Sequence, residues 1–487
     1  MPTYHVENFG CRATQADGAA LERQFEARGL APAPAARADL VILNSCTVTN
    51  SADQDARAAI RRVQRQNPLA KIIVTGCYAQ RAPDEIAALS GVSAVIGNSH
   101  KHQLADIVLS NIELPSPVAE GIAFVPIASL TGETRARGLE AQLFVSDIFA
   151  HTKLLAAPVF EPASVTGSHA NDRTRPNLKV QDGCDNRCSF CVIPSVRGNS
   201  RSLPLAEIVG EVNALVAAGY REVVISGINL GRWGRDLAVS SRPSAISENR
   251  ERNFEDLIRT ILSETHLEKL RISSVEPMDW TDELIALVAS SPRIAKHAHV
   301  PLQSGSDSVL RRMHRKYRPW HYREKIEKIR AAMPTAAIGA DVMAGFPGES
   351  DADFEATRRL IEDLPFTYLH VFTYSARPGT PAAAMRNQVP VNVARERNKI
   401  LRDLAAEKKL AFMQSFVGKS LEAITLGLCG ADAHTRDGVF TEALTDNYQK
   451  LYLRGRHEPN RWLTAHVEAV EDGALVADLY PTITTPN

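Results

Sequence analysis

Cysteine is scarce in this chain: seven in 487 residues, too few for a disulfide-stapled scaffold. Net charge is missing as well, since 56 Lys plus Arg stand against 56 Asp plus Glu. No overall positive field therefore draws the chain to nucleic acid, and such a partner has to be held by a local basic surface. No apolar run approaches the roughly 20 residues that span a bilayer. The opening "MPTYHVENFG" has neither the basic nor the apolar region of a signal peptide. These absences predict a soluble, cytoplasmic protein with no membrane partner, whose thiols stay reduced unless a metal takes them. What is present is apolar material, 44%, enough for two to four domains with real cores.

Residues 1–112 alternate short β-branched runs ("TYHVENFG", "DLVILNSC", "KIIVTGC", "SAVIGN") with helical stretches near 14–28, 51–66, 83–90 and 101–109. That alternation predicts an α/β domain built on a parallel sheet. Cys11 follows the first strand, Cys46 ends the second and Cys77 ends the third. Groups at the carboxyl ends of parallel strands gather along one edge, where ligands bind, so three thiols distant in sequence can meet. Free cysteine is also among the most buried residue types, and three small core residues would read the same way.

Residues 113–177 are rich in Pro, Gly, Ser and Thr without a sustained period, and read as a linker with ordered pieces such as "LFVSDIFAH". Six βα units follow within 178–392. Their strands are "LKVQDG", "EVVISG", "KLRISSV", "HAHVPL", "AIGADVMAG" and "YLHVFTYS". They predict a partial (βα)6 barrel with its functional groups on the loops after the strands. A polar insertion interrupts it at 238–252. A connecting helix over 393–413 carries six basic and three acidic residues, a wall for a phosphate backbone or an ordinary solvated face. Residues 414–483, with "SLEAITL", "KLYLRG", "LTAHVEAV" and "ALVADLY", predict a small antiparallel β-barrel.

The compact group "QDGCDNRCSFCVIP" sets Cys184, Cys188 and Cys191 on one loop after a strand. Zinc wants four ligands, usually as two separated pairs, and a 4Fe–4S cluster usually takes four cysteines. Three thiolates leave one iron open, which is useful only if substrate or cofactor coordinates it. Gly183 lets the loop turn, and Phe190 either presents a flat apolar surface to the cluster or packs inward. Cys429 matches no such pattern and reads as a small core residue.

CxxxCxxC after the first strand of a six-unit barrel resembles the radical S-adenosylmethionine (SAM) superfamily. "NFGCRATQAD", "VILNSCTVTNSAD" and "VTGCYAQ" resemble the N-terminal domain of its methylthiotransferases. "VQDGCDNRCSFCVIPSVRGNSRS", "HVPLQSGSDSVLRRMHRKY", "IGADVMAGFPGESDADFEAT" and "LHVFTYSARPGTPAA" extend the likeness, most closely to the tRNA threonylcarbamoyladenosine type (the MtaB group). The likeness runs over about 3–110 and 178–450, and the C-terminal barrel at 414–483 resembles the RNA-binding TRAM module. Thr14 departs from the pattern, standing where the family usually has Asn.

The resemblance implies two 4Fe–4S clusters. One, on Cys184, Cys188 and Cys191, has its open iron chelated by SAM and reductively cleaves it to a 5′-deoxyadenosyl radical. That radical takes hydrogen from C2 of an adenine in the tRNA anticodon stem-loop. The other, on Cys11, Cys46 and Cys77, carries the sulfur, which a second SAM methylates. The electron would come from a reducing protein such as flavodoxin or ferredoxin. Family positions for SAM fall on Phe190, Gly227, Glu276, Gln303, Ser304 and Gly345, with Glu276 facing ribose hydroxyls or else making a barrel-end salt bridge. Arg197 is placed to pair with a carboxylate or phosphate, or to serve the surface.

RNA binding leans on phosphate neutralisation, yet residues 418–487 hold six Lys and Arg against ten Asp and Glu. Arg454, Arg456 and Arg461 offer one patch. The 393–413 helix and Arg311, Arg312, Arg315, Lys316 and Arg318 offer another. Rivals with the same chemistry take isopentenyladenosine in tRNA or an aspartate of a ribosomal protein. A two-cluster electron carrier and a structural zinc protein are the rivals of other classes.

Overall fold

The structure, a computed structural model, describes residues 1–112, 141–151, 174–239, 253–428 and 439–479. Cys429, most of the 113–177 linker and most of the 238–252 insertion lie outside them. Six strands form the N-terminal sheet: β1 (Thr3–Asn8), β2 (Ala31–Pro32), β3 (Leu40–Ser45), β4 (Lys71–Gly76), β5 (Val92–Gly97) and β6 (Gln142–Phe144). All pair in parallel, in the order β2-β1-β3-β4-β5-β6. β3, "LVILNS", is buried along its whole length, as a central strand covered on both faces must be. Its residues alternate between two cores. Val41 and Leu43 join Ile60 and Val63 of the helix Asn50–Gln66. Leu40 and Ile42 join Leu21 and Phe25 of the helix Arg12–Glu26. β6 comes from "LFVSDIFAH", so that ordered piece is an edge of this sheet.

The central part begins with β7 (Asn177–Lys179), followed by β8 (Gln181–Asp182) and β9 (Arg201–Ser202), which pair antiparallel across the cysteine loop. Then come β10 (Glu222–Ser226), β11 (Lys269–Ile272), β12 (His297–His299), β13 (Ala337–Ala344) and β14 (Tyr368–Thr373). They run parallel as β7-β10-β11 and β12-β13-β14, joined by bridges at Leu270–Ile294 and Ser274–His299. The result is a six-stranded partial barrel, open between β7 and β14. The helix Arg12–Glu26 stands at that opening, where Asn177 Nδ2 donates to the Arg12 carbonyl (2.7 Å).

The helix Val391–Gln414 packs Leu401 and Ala405 inward and leads to a closed five-stranded barrel. That barrel comprises β15 (Ser420–Leu428), β16 (Phe440–Thr445), β17 (Lys450–Arg454), β18 (Trp462–Glu471) and β19 (Ala474–Leu479), and is TRAM-like. β16 is the strand the sequence did not announce. Its fully buried residues are Thr441, Ala443 and Thr445, small and half polar, so no apolar alternation marks it. Among the described residues no helix is long and apolar enough to cross a membrane.

Candidate cluster and cofactor site

Cys11 stands at the N-cap of the helix Arg12–Glu26, Cys46 directly after β3, and Cys77 opens the helix Cys77–Arg81 directly after β4. Parallel strands deliver the three loops to one edge, and the thiols meet there. Cys46 is pushed up to about 12, by burial first and then by the neighbouring Cys77 and Cys11. Gly10 makes the approach possible. At φ +109° a Cβ there would lie 2.5 Å from Cys46 Cβ and 2.9 Å from its sulfur, so no other residue fits. Thr14 sits with its hydroxyl 3.6 Å from the Cys11 sulfur. Asn98 Nδ2 reaches Cys77 Sγ at 3.6 Å and donates to the Val196 carbonyl at 2.8 Å.

The second trio hangs from the β8–β9 pair. Gly183 turns the loop at φ +73°, where a Cβ would strike the Asn199 carbonyl at 1.9 Å. The Cys184 amide donates to Gly198 (3.1 Å) and that of Cys191 to Cys188 (3.1 Å). Two donors address sulfur: the Asn186 amide to Cys184 and Arg315 Nη1 to Cys188, both at 3.4 Å. Burial pushes Cys184 up to about 11 and Cys191 to about 12. All six cysteines are free thiols. Among the described residues no three His, Cys, Asp or Glu side chains could hold a single metal ion. Three sulfurs on one strand-end loop, with donors aimed at two of them, fit a cluster that takes a different iron for each.

The two cysteine-bearing segments touch at one place. Cys77 packs on Val192 and Val196, just past the CxxxCxxC loop. Beside this contact lies a buried charge network. Arg197 donates to Asp182 (2.9 and 3.1 Å) and to Asp17 (3.1 Å). Lys179 bonds Asp17 and Asp182, and Lys101 bonds Asp17 at 3.0 Å. Burial alone would push Asp17 up, yet Lys101, Lys179 and Arg197 hold it down at about 2. Arg197 thus pairs with carboxylates and is buried, which removes it from the surface. A second latch joins Arg377, after β14, to Asp53 and to Thr47 Oγ1 (2.8 Å), one residue past Cys46.

The six SAM-pocket positions separate. Glu276 pairs with Arg315, and both line a cavity with Cys188, Asn186, Arg232 and Tyr317. Phe190 is half-buried, edge-on to Phe346 at 6.4 Å between centroids. A Cβ on Gly227 would touch Gln181 at 2.9 Å, and Gln181 Oε1 accepts the Asn229 amide (2.7 Å). Gln303 takes φ +62° and bonds its backbone to Asp341 and Met343 (both 2.8 Å). Ser304 is fully buried with its hydroxyl at Thr357 (3.2 Å). Gly345 is required by packing: at φ +78° a Cβ would lie 2.4 Å from that of Ala394 on the connecting helix.

Several basic residues are not where an RNA surface needs them. Arg315 is buried at the Cys188 thiol, and Arg312 donates to the Gly348 carbonyl (3.0 Å). On the connecting helix Arg397 is buried on Glu349 (2.7 Å), and Lys408 binds the carbonyls of Glu362 and Leu364. In the C-terminal barrel Arg454 pairs with Glu468 (3.0 Å) and Arg461 with Glu458 (2.9 Å). Arg454 and Arg461 are thereby paired, whereas Arg456 stays exposed.

Below the loops, alternate residues of β12–β14 face the barrel interior, while Leu369 and Val371 pack outward on the main core. The inner wall is a continuous set of polar rings: His297, His299, Tyr368 and His370, with centroids 5.4–6.0 Å apart. Tyr448, from the β16–β17 turn of the C-terminal barrel, closes one end, 4.5 Å from His297. His299 Nε2 lies 3.4 Å from Asp341 Oδ1, and neither of its ring nitrogens makes a hydrogen bond. Burial holds His297 well below the ordinary histidine value.

A partial six-unit barrel with CxxxCxxC on its first strand-end loop defines a radical SAM enzyme, a class that carries a 4Fe–4S cluster and SAM. The Radical SAM superfamily model matches residues 178–361, and a second model, described as Uncharacterized protein family UPF0004, matches 3–97. The threonylcarbamoyladenosine tRNA methylthiotransferase MtaB of Bacillus subtilis is 34% identical over 94% of this chain and 92% of its own. Its namesake in Rickettsia prowazekii is 36% identical over 86% of each. A tRNA-2-methylthio-N(6)-dimethylallyladenosine synthase of Novosphingobium aromaticivorans is 34% identical over 87% of this chain and 86% of its own. The chain belongs to the radical SAM methylthiotransferase family.

Proposed function

We propose that this enzyme methylthiolates C2 of N6-threonylcarbamoyladenosine beside the anticodon of tRNA, in the cytoplasm, with a flavodoxin- or ferredoxin-type protein as reductant. Identity does not separate the nucleosides, because relatives named for the threonylcarbamoyl and dimethylallyl forms lie at 32–36% and 33–34%. The observation that carries the choice is the barrel wall: imidazoles, a carboxylate and a phenol suit a substituent rich in hydrogen-bonding groups. A prenyl chain there would strand polar groups without partners, which costs about 1–3 kcal/mol each.

Cys184, Cys188 and Cys191 would hold the cluster that binds SAM, and Cys11, Cys46 and Cys77 an auxiliary one. Bound there, these groups supply the one-electron chemistry and the sulfur that no side chain provides. The protein's own part is placement. Arg315 holds Glu276 and the Cys188 sulfur in one arrangement, while Arg197 and Arg377 fix the N-terminal loops over the barrel mouth. Orientation of this kind removes much of the entropic barrier to a two-centre reaction.

The test is mass spectrometry of tRNA nucleosides from cells lacking the gene. The methylthio threonylcarbamoyl nucleoside should vanish while its unthiolated precursor accumulates. Loss of the methylthio isopentenyl nucleoside instead would reassign the substrate.

A further inference from the structure

Among the described residues, one arginine beside the polar wall has no carboxylate partner. Arginines around it are each paired: Arg197 with Asp17 and Asp182, Arg271 with Glu222, Arg315 with Glu276, Arg377 with Asp53. Arg12 differs. It follows Cys11 directly and begins the helix that fills the barrel's open side. Its backbone is pinned by Asn177 (2.7 Å), and its guanidinium donates from Nη2 to the Tyr448 hydroxyl (3.1 Å). No carboxylate among the described residues pairs with it. Its charge also acts on His297, Tyr368 and His370. Tyr448 in turn lies 4.5 Å from His297 and 5.7 Å from Tyr368, so the guanidinium stands beside the polar wall at the β7–β14 opening, half-buried, with most of its five N–H donors unused.

A guanidinium held this way, without a counter-charge, is matched by a ligand carboxylate, which it binds with charge-assisted hydrogen bonds in a planar fork. We propose that Arg12 binds the carboxylate of the threonyl group on the substrate's N6 nitrogen and so selects which modified adenosine is accepted. This rests on the function read above. An isopentenyl group offers Arg12 nothing, and a site built to bond a polar group rejects the analogue that lacks it. Tyr448 acts as a positioning residue, tying the C-terminal barrel to the same recognition.

The test uses the full-length protein with both clusters reconstituted and iron and sulfide quantified. Three anticodon stem-loops are compared: threonylcarbamoyladenosine, the same group with its carboxylate converted to a primary amide, and isopentenyladenosine. For the unaltered enzyme the amide should lower kcat/KM by about 10- to 100-fold, mostly through KM. In Arg12→Gln the acid and amide should differ by no more than about threefold, and Arg12→Lys should recover part of the preference. Tyr448→Phe, which leaves the residue beside Cys11 unchanged, should weaken the preference and carries the test if Arg12→Gln loads iron poorly. An acid-over-amide ratio unchanged in Arg12→Gln, or in Tyr448→Phe where that variant carries the test, overturns the proposal. An unaltered enzyme that ignores the threonylcarbamoyl RNA and thiolates the isopentenyl one overturns the substrate reading as well, so the two failures are told apart.

Discussion

Asp17 is the most informative single position to change, because three cations share it. Lys101 comes from its own domain, whereas Lys179 and Arg197 come from the barrel. The network holds three cations against two carboxylates, Asp17 and Asp182, so it already carries one surplus positive charge. Asp17→Asn keeps the shape and doubles that surplus. The carboxyl's displacement from 3.8 to about 2 corresponds to about 2 kcal/mol of folded-state stability at neutral pH. Stranding buried cations raises the expected cost to about 3–5 kcal/mol.

The loss should fall on docking of the N-terminal domain and appear in calorimetry as an early transition, lowered by more than about 10 °C. Adding Lys101→Met restores the original surplus and should recover a good part of it. The acid limb gives an independent sign check. A depressed carboxyl contributes fully above its unfolded value of 3.8 and loses that contribution as pH falls towards 2. Asp182, also held low, leaves an acid limb in the Asn variant, which should be shallower. A single unchanged transition in Asp17→Asn, or a double variant no better than the single, would refute this account of the latch.

Gly10→Ala should displace Cys46, so that purified protein loses the iron of one cluster while still cleaving SAM; a full complement of iron would contradict the packing argument. Arg315→Met frees both Glu276 and the Cys188 thiol, and 5′-deoxyadenosine formation, followed by chromatography, should fall at least about tenfold. Arg454→Ala and Arg461→Ala remove exposed, already paired charges. Each should alter tRNA affinity by no more than about 0.5 kcal/mol in filter binding, and a tenfold loss in either would place RNA on that face.

Much of this fold could be read directly. β3 announces itself because both its faces are buried, and a cysteine follows each of the strands whose carboxyl ends meet at one edge of the N-terminal sheet. The charge network could not be read, since Asp17 and Arg197 stand 180 positions apart and polar residues leave no period. Arg315 was misleading for a local reason. It belongs to the basic run "RRMHRKY", which resembles a phosphate-binding surface, but His314 takes φ +58° after the helix Asp307–Arg312. The chain turns there and carries Arg315 inward, while Arg311 stays 60% exposed. The connecting helix divides in the same way, with Arg397 and Lys408 spent on the protein itself.

The barrel lacks the strands that would complete its ring, and a helix of another domain stands in the vacancy. The cavity is consequently a composite, with the CxxxCxxC loop at its mouth supplied by one module and part of its side by its neighbour. New substrate preferences can then arise by exchanging a few residues at the tip of that inserted helix, with the machinery for bond activation left untouched.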